Sequence, residues 1–404
     1  MMTGISTLGQ ALTQINLLNN QNRTLNNLTT QLSTGKKTQS FKGLSADILT
    51  SKRARADVKA FDTYMNNIKG GERRISQMLA AIEEFQKQAR SFSNALVQFS
   101  QESVHQQGEV IVYDDPLTVE VETTQVGYTS AEPDVDLRTL QDLAGSLYTF
   151  MGDLLNVQEG DRYLLGGADS LTRPFTDNGT LDAAISTLIT NWKDETLPAA
   201  TNLTSAELVN ALTSRNITQD PNAVTDTIIG YSPALSAGNV GNVFIRVDEK
   251  TEVKYTALAN EDPFRDILVA ASFIKNENLT PIADTFAEPY TPGNPTLADG
   301  APGATLDEMK DNFFQVFNTL IGSVNRAIDD VDSVRFRLET ARARIDEIKT
   351  RHNIDQNTLL NTIDNVENAD MNEVAVQINA LQLQIEASYR VAASVSQLSL
   401  VNFL

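Results

Sequence analysis

Cysteine is absent from the 404-residue chain, which excludes disulfides, thiolate metal sites and a cysteine nucleophile. Histidine is nearly absent: His105 and His352 each lie near a predicted helix end with no second imidazole close in sequence, so both read as helix-end packing residues and not as metal ligands or catalysts. Positive charge is short too. With 32 Lys and Arg against 52 Asp and Glu, net −20, the chain lacks the cationic surplus that phosphate neutralisation requires, so nucleic acid is not an expected partner. No stretch reaches the roughly 18 apolar residues of a membrane span, and Met1 to Gln10 has neither the basic start nor the apolar run of a secretory signal. Membrane insertion is therefore not expected, and export, if it occurs, should bypass the general secretory route.

Motifs of catalysis and ligand binding are incomplete. Thr34-Gly35-Lys36-Lys37 lacks the upstream glycine and the following Ser or Thr of a phosphate loop. Asp329-Asp330-Val331-Asp332 lacks the spacing and glycine of an EF-hand and continues a heptad, so it reads as a solvated helix face. Gly166-Gly167 suits a turn better than a nucleotide site, because no Gly-x-Gly-x-x-Gly follows a strand there. No nucleophile, base and orienting group converge. The expectation is a protein that is not an enzyme and has no catalytic, cofactor or metal residues.

What is present is length enough for two or three domains, 41% hydrophobic residues and a marked division of texture. Residues 1–105 hold 13 Lys or Arg against 7 Asp or Glu, whereas 106–305 hold 10 against 30, which suggests a solvated acidic middle carried on a different base. The ends carry heptads. Leu8, Leu12, Ile15, Leu18, Leu25, Leu28 and Leu32, with Asn22 in the one missing place, predict a first helix, and Ser33 to Lys37 its stop. A second follows through Ile68, Ile75, Leu79, Ile82, Phe85, Ala89, Phe92, Leu96 and Phe99. Near the other end Phe313, Phe317, Leu320, Val324, Ile328, Val331, Val334, Leu338, Ala341, Ile345 and Ile348 follow steps of 3 or 4, as do Val374, Ile378, Leu381, Ile385, Ser388, Ala392 and Val395. A narrow seam on a long helix must be buried by another helix, and the candidates lie at the opposite end of the chain.

The middle differs. Val110 to Tyr113 and Thr118 to Glu122 predict a hairpin, and Leu140, Leu143, Leu147, Phe150, Leu154 and Val157 a helical stripe over 137–157. Strands are expected at 243–247 and 252–255, helices at 182–192 and 262–275, and a loop at 289–303 with four Pro and three Gly. The fold class is mainly α: an elongated antiparallel coiled coil or bundle from paired terminal segments, with a small α+β outer domain inserted in the middle. The expected divisions are 1–42 with 357–404 as an inner polymerisation domain, 43–165 with 306–356 as a bundle carrying a hairpin near 109–135, and 166–305 as the outer domain.

These residues resemble a known family, that of bacterial flagellin and its relative, the hook-filament junction protein. Leu32-Ser33-Thr34-Gly35-Lys36-Lys37 resembles the turn after the first flagellin helix. Gly160-Asp161-Arg162-Tyr163-Leu164-Leu165-Gly166-Gly167, followed by Thr172-Arg173-Pro174-Phe175, is similar to segments of the junction protein, as is the ending Leu398-Ser399-Leu400-Val401-Asn402-Phe403-Leu404. After the glycine turn, Phe41-Lys42-Gly43-Leu44-Ser45-Ala46-Asp47-Ile48 keeps only part of the filament pattern, which favours the junction protein over a divergent filament flagellin. The resemblance covers about residues 3–175 and 306–404. It implies a structural subunit of the extracellular flagellar fibre, exported through the type III channel and assembling into a helical array with its own copies. Implied partners are hook-associated proteins, flagellin and a flagellar export chaperone. On this reading Leu8, Leu12, Ile15, Leu25, Leu28 and Leu32 pair with Val374, Ile378, Leu381, Ile385, Ala392 and Leu398 in an inner tube, and neighbouring subunits bury Leu400, Phe403 and Leu404. The same positions would equally serve one subunit's own coiled coil, and both can hold at once. A binding module on a helical stalk is the alternative of another class.

Overall fold

A computed structural model describes residues 3–105, 110–113, 122–126, 131–193, 201–277 and 306–401. All twelve prolines lie between Pro116 and Pro302, so nothing interrupts the hydrogen-bond ladder of a helix at either end of the chain. Four long helices result: α1 (Thr3–Thr34), α2 (Ile48–His105), and, after the middle segment, Leu306–Glu367 and Met371–Val401. The fold is mainly α. The chain divides into two compact units, Met1–Asn66 with Ile348–Leu404, and Asn67–Glu347.

In the second unit, the α2 seam runs Ile75, Met78, Ile82, Phe85, Ala89, Phe92, Leu96 and Phe99, all buried. Met78 takes the place expected of Leu79, which is half-buried; steps of 3 and 4 both fit after Ile75, and only packing chooses between them. On the opposing helix every seam residue from Phe313 to Ile345 is buried as its spacing predicts. The two helices are antiparallel: Gln86 donates to the Ile328 carbonyl at 3.1 Å, Ser93 to Asn325 at 2.6 Å and Ser100 to Asn318 at 3.0 Å.

The middle segment shares this unit. It contains β1 (Val110–Tyr113) paired with β2 (Glu122–Val126), α3 (Ala131–Leu155), β3 (Gln158–Glu159) paired with β4 (Arg162–Tyr163), α4 (Thr180–Lys193), α5 (Ser205–Thr213), α6 (Asp226–Ile229), α7 (Pro233–Ser236), β5 (Phe244–Arg246) paired with β6 (Glu252–Lys254), and α8 (Asp262–Asn276). Of the second strand expected at 118–122, residues 118–121 lie outside the described residues and Glu122 belongs to β2, whose register sets Val126 against Val110. The expected loop at 289–303 lies outside the described residues. Helix α8 is apolar nearly all round and buried along its length. Its Phe264 meets Phe85 of α2 edge to face at 5.0 Å, and Phe273 meets Phe317 at 6.3 Å and Trp192 at 6.5 Å. Such a helix has to be the inside of something.

Helix α3 turns a different stripe inward than its spacing predicts. Leu140, Ala144, Leu147, Tyr148, Met151 and Leu155 are buried, Leu143 and Leu154 are half-buried, and Phe150 is exposed. Gly152 explains the rotation: a Cβ there would meet the Phe175 ring at 2.6 Å, so the aromatic cluster of Phe175, Tyr148 and Tyr231 occupies the side the glycine leaves open.

The helix Leu306–Glu367 is α9 and Met371–Val401 is α10. In the first unit α1 packs against α10. Helix α1 is a weak helix by composition. It has one charged residue, Arg23, and many Asn and Thr; Thr13, Thr24, Thr29, Thr30 and Thr34 turn their hydroxyls back to the carbonyl four residues earlier. Residues of this kind lower helix propensity, so α1 depends on its partner for order.

Candidate assembly interface and the terminal joint

The α1–α10 pair is antiparallel, since the end of one helix meets the start of the other. Gly35 closes α1 with φ 69°, donating to the Gln31 carbonyl. The chain then bonds across: Ala369 N–H donates to the Gly35 carbonyl at 2.9 Å, and Lys37 N–H to the Glu367 carbonyl at 2.8 Å. Asp370 caps α10, accepting from Asn372 N–H at 2.9 Å.

That joint fixes which face of each helix turns inward. On α10 the inward residues are Val374, Ile378, Leu381, Ile385, Ser388 and Ala392, buried or half-buried at steps of 4, 3, 4, 3 and 4. On α1 they are Gln14, Leu18, Gln21, Leu25, Leu28 and Gln31. Of the assembly residues named from sequence, the structure thus turns Leu25 and Leu28 toward the α10 seam of Val374, Ile378, Leu381, Ile385 and Ala392. It leaves Leu12, Ile15 and Leu32 exposed in the single chain. The backbones of Leu8, Leu398 and Leu400 are helical but their side chains, with all of Phe403 and Leu404, lie outside the described residues.

The pair therefore has two kinds of face. Its inner seam on α1 is half glutamine, and the buried Gln21 leaves Oε1 with no hydrogen-bond partner among the described residues. Its outer faces carry Leu12, Ile15, Leu17 and Leu32 on α1, and Val376, Leu383, Tyr389 and Val391 on α10, with Val376 and Leu383 68% and 69% exposed. Apolar side chains exposed at this density along two helices make this surface the candidate assembly interface.

Beneath the joint sits a charged cluster that the sequence reading missed. Glu367, 8% exposed at its side chain, accepts from Arg55 Nε at 2.8 Å and Nη2 at 2.6 Å and from the Ser51 hydroxyl, with Lys36 Nζ at 3.5 Å. Lys36 also donates to Asn368 at 2.6 Å and Lys37 to the Asn365 carbonyl at 2.5 Å. The two-pronged hydrogen bond from Arg55, then Ser51 and the positive charges, outweighs desolvation and holds the Glu367 carboxyl down to about 2. Arg55 and Glu367 are 312 residues apart, so no local spacing announces the pair.

His352 is buried against Phe61, ring centroids 4.8 Å apart, and Tyr64 at 6.0 Å, a packing position. The side chain of His105 lies outside the described residues. Asp329 and Asp330 face solvent along α9, and Asp332 pairs with Arg335 at 3.0 Å. Gly167, φ 60°, and Gly166 form a turn against Gly241 and Leu258. Among the described residues no group of His, Asp or Glu could hold a metal ion, and no helix is long and apolar enough to cross a membrane.

An apolar-faced helix pair closed by a polar joint is the arrangement that the two ends of the chain form. Residues 321–404 match the family model of the bacterial flagellin C-terminal helical region, so through these helices the chain is similar to the bacterial flagellin family. No curated protein matches the chain.

Proposed function

We propose that the chain is an axial subunit of the bacterial flagellum, outside the cell, which assembles with its own copies through the outer faces of α1 and α10 and works at the hook-filament junction. The observation that carries this is the pair's second apolar face. Leu12, Ile15 and Leu32 on α1, and Val376, Leu383 and Val391 on α10, are left in water by the single chain, and burying them is the driving force for addition of a further copy. Only Arg23 on α1 and Glu373, Glu386 and Arg390 on α10 carry charge, so neighbouring copies meet little like-charge repulsion. Leu8, Leu398, Leu400, Phe403 and Leu404 are assigned to the same interface from the sequence. In this reading 1–42 with 357–404 polymerises, 43–165 with 306–356 supports it, and 166–305 is free to vary; the subunit is not an enzyme.

The junction role rests on the likeness of the Arg162-Tyr163 segment and of the closing Leu398-Ser399-Leu400. Type III export, a dedicated chaperone, and hook-associated and flagellin neighbours follow from it. The match to the flagellin C-terminal region favours filament flagellin as the second reading.

Two experiments decide. Purified full-length chain should form fibres or sedimenting oligomers by electron microscopy and ultracentrifugation, and a chain lacking residues 391–404 should stay soluble and monomeric. Equal assembly of the two would overturn the proposal. A deletion strain that loses its filament and leaks flagellin monomers marks the junction, whereas one with hook and junction intact but no shaft marks the filament.

A further inference from the structure

Residues 176–180 form an exposed turn leading into α4 that the assembly function does not use. Within it lies Asn178-Gly179, the one Asn-Gly pair in the 404 residues. Gly179 has φ 75°, and a Cβ there would meet nothing within 4 Å, so the backbone nitrogen that follows Asn178 is uncrowded. Its N–H precedes the helix and takes no part in the α4 ladder. It donates instead to Asp177 Oδ1 at 3.1 Å. Asn178 Oδ1 accepts from Thr180 N–H at 3.1 Å, and the Thr180 hydroxyl stands 2.5 Å from that oxygen and 2.7 Å from the Ile228 carbonyl.

The turn thus assembles the parts of an acyl transfer. A carboxylate hydrogen-bonded to an N–H is placed to take its proton. Two donors on a carbonyl oxygen stabilise the negative charge that gathers there when its carbon is attacked. Nucleophile and carbonyl belong to neighbouring residues, so no encounter has to be arranged. We propose that Asn178-Gly179 is a site of self-modification, at which the chain converts Asn178 to aspartate and isoaspartate. The Gly179 nitrogen bonds to Asn178 Cγ as its proton passes to Asp177. The Cγ–Nδ2 bond then breaks, Asp177 returns the proton to Nδ2, and ammonia leaves behind a five-membered imide. Solvent water opens the imide: attack at Cγ gives aspartate, and attack at the backbone carbonyl carbon gives isoaspartate, in which the side-chain methylene has entered the main chain. No electrons are transferred. The added length falls between Thr176, whose N–H donates to the Gly230 carbonyl at 2.9 Å, and Thr180, so it shifts the start of α4 off α6.

Purified full chain, aged in warm neutral buffer and digested with trypsin, tests this by mass spectrometry. The peptide to follow is 163–193, which stays uncut at Arg173 because Pro174 comes next. It should gain about 1 Da with time and yield isoaspartate at position 178, while Asn216 and Asn222, also exposed, stay intact over the same period. Asp177→Ala changes an exposed side chain and should keep wild-type helicity by circular dichroism, yet slow the conversion about tenfold. Conversion of Asn178 no faster than that of Asn216 or Asn222 overturns the proposal. So does an Asp177→Ala chain that converts at the wild-type rate, which would leave the turn without a chemical role.

Discussion

Glu367 shows how much one residue can gather. Its carboxylate draws Arg55, Ser51 and Lys36 onto the end of α9, and its pKa of about 2 makes the joint sensitive to acid. Because the folded pKa lies below the ordinary value of 4.5, the stabilisation is complete above about pH 4.5 and is lost as pH falls toward 2. Arg55 is half exposed, so screening reduces the contribution to about 1–2 kcal/mol. Glu367→Gln should destabilise by that amount at neutral pH in urea melts followed by circular dichroism, and the gap from the wild type should close near pH 2. A gap unchanged across that range would show that charge is not the cause. The residues of this joint were half legible. Gly35 and the lysines after it announce a helix stop, but Glu367 and Arg55 are ordinary charged residues until the fold brings them together.

At the scale of the element, spacing located the long helices well and their faces less well. The α2 and α9 seams follow from steps of 3 and 4 because each buries one narrow stripe against one opposing helix. Helix α3 packs on a loop aromatic, Phe175, and helix α1 on a joint that dictates its rotation, so in both the apolar pattern points to a neighbouring stripe. The short elements α5, α6 and α7 are held by caps at Thr204, Thr225 and Ser232 and are too brief to show a period. The paired glycines of α2 make the same point. A Cβ on Gly70 meets nothing within 4 Å, whereas on Gly71 it would meet Ile245 Cδ1 at 2.0 Å and Cγ1 at 2.8 Å. Gly70→Ala should therefore stabilise by up to about 1 kcal/mol through helix propensity. Gly71→Ala should destabilise by about 1–2 kcal/mol as β5 is pushed off α2. Chemical denaturation of the two variants reads the opposite signs, and like signs would remove the packing role of Gly71.

For the whole molecule, the two apolar faces of α1 and α10 imply that folding of one chain and joining of several are separable. Leu383→Asp changes an exposed side chain and no inner-seam contact. The variant should keep wild-type helicity and its melting profile by circular dichroism, while sedimentation shows that assembly is lost. A variant that assembles normally would mean that copies meet elsewhere. The inner face of α1 tells a related story: a seam that is half glutamine binds its partner more weakly than an all-apolar one.

The joint between residues 36 and 368 also has a consequence in time. Its two halves lie 332 residues apart, so α1 has no partner while the ribosome is still reading the message between them. Closing so wide a loop is slow, and a product arrested before α9 and α10 can never close it. The hydrogen bond between Lys36 and Asn368 thus works as a receipt for the 332-residue span between them, formed only when both halves have been delivered.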